Sequence, residues 1–369
     1  MNTDLSAKTG GVLVSLAAFV IVVAGIKAAA PLMVPFLLAV FIAIIIAPPY
    51  QWLQEKGLSG GVALLAVMAV LVALMLLTGA LIGTSLDNFS RELPGYQARL
   101  REITAGLIHW LAGQGLVISV DTVTQYLDPG KAMKLVSTLL SSMGNMLTNS
   151  FLILITVIFL LLEAAGLPDK WRAASPNAEA TLAQFGTAIR NINHYMGIKT
   201  LASLATGLVV AAWLWIVGVD YPLLWGLLAF LLNFVPNIGS ILAAVPAVLL
   251  ALIQLGVSQA LLAAAGYAVV NVVIGNFAEP RFMGRGLGLS TLVVFLSLVF
   301  WGWVLGPVGM LLSVPLTIAV KIVLDSREDT RWMAVMLGPK VASVDTGSVD
   351  ELGAVLEDSV QATQDTDNA

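Results

Sequence analysis

The sequence predicts an all-α polytopic membrane protein: about six full spans, two re-entrant broken helical hairpins and an extramembrane helical layer. Three observations predict it. Of 369 residues, 59% are apolar and only 11% are Asp, Glu, Lys or Arg, against about 25% charge in a soluble domain. The apolar residues gather into eight runs, and two of the runs are broken in the middle by proline and glycine. So much apolar surface exceeds what a 38.8 kDa globule can bury, so lipid must solvate it.

The runs cover 12–30, 31–47, 61–86, 146–165, 197–217, 222–253, 257–278 and 289–324. About 20 residues cross the hydrocarbon. In the first, Ala28-Ala29-Ala30 has the small side chains of a leader-peptide cleavage site. Lys27 separates it from the apolar run and Pro31 follows, so the segment reads as a retained helix after a cytoplasmic stretch 1–11.

Four connections are polar: 48–60, 87–145, 166–196 and 279–288. In 87–145, Leu93, Tyr96, Leu100, Ile103, Leu107 and Trp110 recur at steps of three and four, the seam of a helix packed on a helix. Asp128-Pro129-Gly130 marks a turn within it. In 166–196, Ser175-Pro176 resembles a helix cap with a first-turn proline. Leu182, Phe185, Ile189, Ile192 and Met196 follow at helical spacing, so this cytoplasmic helix is expected to run into the next span.

The net charge of −4 hides an asymmetry, because 341–369 holds seven acids and no base, leaving +3 on the rest. The region 326–369 therefore reads as a cytoplasmic, acidic, largely disordered tail. No basic cluster points to nucleic acid. The absence of cysteine excludes disulfides and cysteine-bound metals; no cofactor is expected.

Lys and Arg in short loops stay cytoplasmic. That rule is best met if 222–253 enters and returns on the outer face and 289–324 enters and returns from the cytoplasm. Arg281 and Arg285 then lie inside with Lys321, Arg327 and Arg331, and both termini are cytoplasmic. Run 222–253 is interrupted at Asn233-Phe234-Val235-Pro236-Asn237-Ile238-Gly239, and run 289–324 at Gly302 through Gly309, including Gly306 and Pro307. Proline removes an amide donor and glycine permits left-handed backbone, so each run should split into two short helices around an unwound tip. Paired, interrupted segments of this kind point to a secondary transporter, with substrate where unwound backbone lines a cavity. The plainer reading is a pair of kinked, packed helices.

Asn233, Pro236, Asn237 and Gly239 at the first tip, and Gly306, Pro307 and Gly309 at the second, are the candidate solute contacts. Asn271, Asn276 and Glu279 lie on or just beyond the 257–278 helix, where α-helical winding puts Asn276 and Glu279 on one face. Amides donate and accept at once, which suits a neutral polyhydroxylated ligand. The competing role for each Asn is an interhelical hydrogen bond; for Glu279 it is an ion pair with Arg281. Ser203, Gly207 and Ala211 form a small-residue stripe for close helix packing. Gly57-Leu58-Ser59-Gly60 matches a serine-protease pattern. The only histidines, His109 and His194, lie in polar connections, so no base is expected beside that serine. Trp213, Trp215, Trp225, Trp301 and Trp303 read as interface or packing residues.

The strings Leu231 to Ser240, Asn276 to Ser290 and Phe300 to Gly309 resemble the autoinducer-2 exporter family, over residues 12–325. The resemblance implies an inner-membrane exporter of autoinducer-2, a small furanone-derived signal. It further implies a homopentamer in lipid that moves a hairpin-bearing domain in elevator fashion. Residues 12–217 would then be scaffold and oligomer contacts, and 218–325 the transport unit. Sodium/proton antiport is the first alternative, because some relatives are so described. It needs a carboxylate that titrates in the membrane, and Glu163, Asp220 and Glu279 all sit at span ends. A passive oligomeric pore or scaffold is the second. An enzyme is not expected.

Overall fold

The computed structural model describes residue 14 and residues 17–114, 150–174, 178–236, 238–283, 288–326 and 328–339. Among these there is no strand. Five helices are long and apolar enough to cross a membrane, and a bent pair makes a sixth.

Helix α1 (Ala17–Ala28) leads into α2 (Ala30–Glu55). The two do not fold back on each other as separate spans. Ala29 keeps right-handed helical backbone, and the Met33 amide donates to the Ala29 carbonyl at 3.0 Å. One face, Val23, Ile26, Ala30, Val34 and Leu37, runs straight through the junction. Pro31 lacks an amide proton, so it kinks the rod instead of ending it. The sequence reading of 12–30 and 31–47 as two spans is corrected here.

Helix α3 (Gly60–Gly113) is one rod of 54 residues, about 80 Å long and far longer than a bilayer core is thick. Its first half packs with α2 and with α4 (Ser150–Ala174) through Ala39, Ile46, Val67, Met68, Ile153 and Val157. Helix α4 bends by 56° where its apolar run ends. The expected seam is present: Ile82, Leu86, Phe89, Leu93, Tyr96 and Leu100 pack into the largest core cluster. It ends sooner than predicted, since Ile103 is 37% exposed. The side chains of Leu107 and Trp110, the Asp128-Pro129-Gly130 turn and Ser175-Pro176 lie outside the described residues.

Helix α5 (Ala178–Val217) runs unbroken for 40 residues from the polar connection into the bundle, as its periodicity predicts. A corner at Gly218–Tyr221 turns the chain into α6 (Pro222–Leu232) and α7 (Gly239–Leu255). Neither is as long as a span. Helices α5 and α6 cross at glycine: a methyl at Gly207 would lie 2.7 Å from the Gly226 carbonyl oxygen, and one at Gly226 would lie 2.6 Å from Ala211 Cβ. The small-residue stripe is therefore a packing seam. Trp225 is fully buried, its indole donating to the Asp220 carbonyl at 2.8 Å.

Helix α8 (Val257–Val270) continues into a π-helical segment, Asn271–Ala278, and the short α9 (Glu279–Met283). Helix α10 (Thr291–Leu311) has a length that would span, but Gly306 sits at φ 70° and ψ −152°. The chain reverses there. The Trp301 indole donates to Thr317 Oγ1 at 3.1 Å, whereas a straight helix would hold those residues about 24 Å apart. The return arm continues as α11 (Ser313–Asp325), followed by α12 (Glu328–Met336). The Ser290 amide donates to the Leu337 carbonyl at 3.0 Å and Ala334 is buried. Helix α12 thus falls within 326–369, the region that the sequence reads as largely disordered; residues 340–369 lie outside the described residues.

Candidate functional site

Two polar pairs lie on adjacent turns of α5, largely shielded from solvent. Lys199 Nζ is 2.7 Å from Glu279 Oε1, with side-chain exposures of 8% and 14%. One turn further, Asn233 Nδ2 donates to Ser203 Oγ at 3.0 Å. Four residues of α-helix rise about 6 Å, so α5 brings the first tip and the end of the π-segment to one place. Glu279 also acts electrostatically on the Tyr195 hydroxyl. A buried ion pair is costly to desolvate and is retained only with good geometry. In a membrane bundle, such a residue is a functional candidate by default.

Apolar walls close this region. Phe234, next to Asn233, meets Phe41 of α2 edge-on at 5.6 Å between ring centroids and Phe230 at 5.7 Å. Tyr195 and Met196 of α5, with Phe41, Ile44 and Ile45 of α2, pack against Leu289, Val293, Val294 and Val314 of the second hairpin. The tip of that hairpin lies further along the same rod: Val304 and Leu305 cluster with Val23, Val34 and Leu37. Lys27 Nζ stands 3.8 Å over the Trp303 ring. Both tips therefore lie against the α1–α2 rod, the second tip's contacts spread over Val23–Leu37 and the first tip's at Phe41.

The sequence candidates are placed as follows. Asn233 and Glu279 are brought together on α5. Asn271 is half-buried, Pro236 and Gly306 are half-buried, and Gly239 and Gly309 are buried. Asn276 and Pro307 are exposed. Asn237 lies outside the described residues. The expectation that Asn276 and Glu279 share a face fails because the segment is π-wound, with the Glu279 amide bonded to the Ile274 carbonyl five residues back. Glu279 pairs with Lys199 and not with Arg281, the competing partner that the sequence offered, and Arg281 is exposed. Lys199 escaped the sequence reading. Its signal was a single base among apolar residues at the start of run 197–217.

A second polar cluster lies at the far end of the first hairpin. The Tyr96 hydroxyl donates to the Glu92 carboxylate and lies 3.2 Å from Asp220 Oδ2. The Tyr221 hydroxyl donates to Glu92 Oε2 at 3.0 Å. Gln254 donates to Asp220 and to the Tyr96 oxygen, and Arg99 donates to the Gln254 carbonyl at 3.1 Å. These groups border an open cleft of about 580 Å³ between α3, the 218–221 corner and the end of α7.

The long, apolar, outward-facing helices define a multi-pass membrane protein. The chain belongs to the AI-2E family of transporters, whose family model matches residues 16–328. It is 44% identical to the AI-2 transport protein TqsA of Escherichia coli (strain K12) over 326 residues, 88% of this chain and 95% of that protein. A transport-protein candidate of the same strain, YhhT, is 40% identical over 92% of this chain and 97% of its own. One from Haemophilus influenzae is 38% identical over 88% and 95%.

Proposed function

We propose that this chain exports a small, neutral, polyhydroxylated solute across the bacterial inner membrane, with autoinducer-2 the first candidate cargo. The observation that carries this reading is the pair of contacts on α5, Asn233–Ser203 and Lys199–Glu279, at the meeting point of the first tip and the π-segment. The ion pair cancels its own charges, leaving amides, hydroxyls and tip backbone to meet a neutral guest. The cargo named for the TqsA relative supports the choice of solute.

In this reading Asn233, Pro236, Gly239, Asn271 and Glu279 line one side of the path and Gly306, Pro307 and Gly309 the other. Residues 218–325 form the moving unit, which rises and falls against 12–217 in elevator fashion within a homopentamer. Efflux of autoinducer-2 from proteoliposomes, with and without ion gradients, tests it. Asn233→Ala and Asn271→Ala should each abolish efflux while the protein stays folded. Unchanged efflux in both variants sinks the assignment.

The buried Glu279 favours one competing reading, sodium/proton antiport through an intramembrane carboxylate. Sodium-driven proton flux that vanishes in Glu279→Gln, with no solute efflux, would establish that reading instead.

A further inference from the structure

Helices α8 and α9 are α-wound, and between them Asn271–Ala278 is π-wound. The backbone is unstrained at both joins, with Val270 at φ −60°, ψ −45° and Glu279 at φ −56°, ψ −49°. A π-segment accommodates extra chain per turn and competes with the α-helix that the same residues could form. Something outside the segment must therefore favour it. Rewinding as α-helix would carry each residue below the join about 100° further round, one residue's worth. Glu279 would move to the outward station now held by Pro280, and Ala278 would take its place opposite Lys199. In the structure the ion pair is made with the segment π-wound.

We infer that Lys199 is a positioning residue of the transport site: by holding Glu279 it fixes the π-winding of Asn271–Ala278, and so sets which side chains of that segment face α5. Lys199 can do this because its ammonium is buried and, at 2.7 Å from the carboxylate, anchored on an unbroken helix. Without it, the inward carboxylate would lose the cation at 2.7 Å that offsets its burial, and the winding that turns Glu279 outward would prevail. Phe277, now exposed, would move to the half-buried station of Ala278, while Val269 above the segment would stay where it is. Release and recapture of Glu279 would switch the segment between two faces during a transport cycle. Only this last consequence rests on the solute-export reading.

The chain has no cysteine, so a single nitroxide can be placed at position 277 or 269 without other changes. In full-length protein in lipid, Lys199→Met should lower the oxygen accessibility of a label at 277 several-fold and leave a label at 269 unchanged. Lys199→Arg should keep the wild-type pattern. If Lys199→Met does not fold, the charge-exchanged pair Lys199→Glu with Glu279→Lys decides, and a wild-type pattern is expected. Unchanged accessibility at 277 in Lys199→Met, or a lost pattern in the folded exchanged pair, overturns the inference. In proteoliposomes that export solute, Lys199→Met should slow efflux roughly tenfold, within the usual range for coupling between sites. A wild-type protein that moves no solute would refute the export reading, and the labels would still decide the role of Lys199.

Discussion

Gly239 touches Leu232 across the first tip so closely that a methyl on it would stand 1.8 Å from the Leu232 carbonyl oxygen. The second tip repeats the relationship, with Gly309 placing a methyl 2.0 Å from the Trp301 carbonyl oxygen. In both hairpins the first residues of the returning arm press on the backbone of the entering arm, so the obstacle cannot rotate away. We predict that Gly239→Ala and Gly309→Ala each force their tip open and cost about 1–3 kcal/mol or more, as overpacking does. Gly306→Ala meets nothing within 4 Å. Its cost should come only from φ 70° and ψ −152°, about 1–3 kcal/mol for such backbone. Thermal unfolding in detergent measures all three. Wild-type stability in Gly239→Ala and Gly309→Ala would contradict the tight tips.

Those tips were legible because proline and glycine act locally. At both tips proline and glycine fall together in the middle of a run, and together they predict a turn. The continuity of α5 was legible for a similar reason, since its period persists from Leu182 through Met196. Lys199–Glu279 was not, because 80 residues separate the partners and one lysine beside an apolar run does not name its carboxylate. The π-segment was invisible because a face assignment at 100° per residue presumes α-winding, so it set Asn276 beside Glu279. Pro31 illustrates the opposite error: a breaker that reads as the end of one span and the start of another only kinks a rod.

The crossing of α5 and α6 yields a second prediction. A methyl at Gly207 would lie 2.7 Å from the Gly226 oxygen, and one at Gly226 would lie 2.6 Å from the Gly207 oxygen. Each single alanine must push the helices apart, and once they have moved the second methyl meets less resistance. Gly207→Ala and Gly226→Ala should therefore each destabilise, and the double variant should lose less than the two combined. Unfolding of the four proteins of the cycle checks this; strict additivity would mean that the two glycines do not share one contact.

Asn233 and Ser203 yield a third. Their hydrogen bond of 3.0 Å crosses from the first tip to α5, and such interhelical bonds in membranes contribute about 0.6–2 kcal/mol. We predict a coupling of that size between Asn233→Ala and Ser203→Ala in stability. Because Asn233 is also proposed to meet solute, efflux should fall further in Asn233→Ala than in Ser203→Ala. Equal losses in the two variants would assign Asn233 to packing alone.

The last prediction concerns the corner that ties α3 to the first hairpin. Tyr221 lies outside the spanning helices, and burial, followed by its hydrogen bond to Glu92, pushes its phenol up to about 12 from an ordinary 10.0. The folded corner thus keeps a proton that the open corner gives up near pH 10. Its contribution is complete below pH 10 and is lost as the pH rises to about 12, because the open form binds fewer protons throughout that window. The difference in phenolate absorbance between wild type and Tyr221→Phe should titrate near 12. In Glu92→Gln the carboxylate acceptor is gone while burial remains, so the midpoint should fall part of the way toward 10. A wild-type midpoint at the ordinary tyrosine value would show that Tyr221 is solvated and that α3 does not hold the base of the hairpin through Glu92.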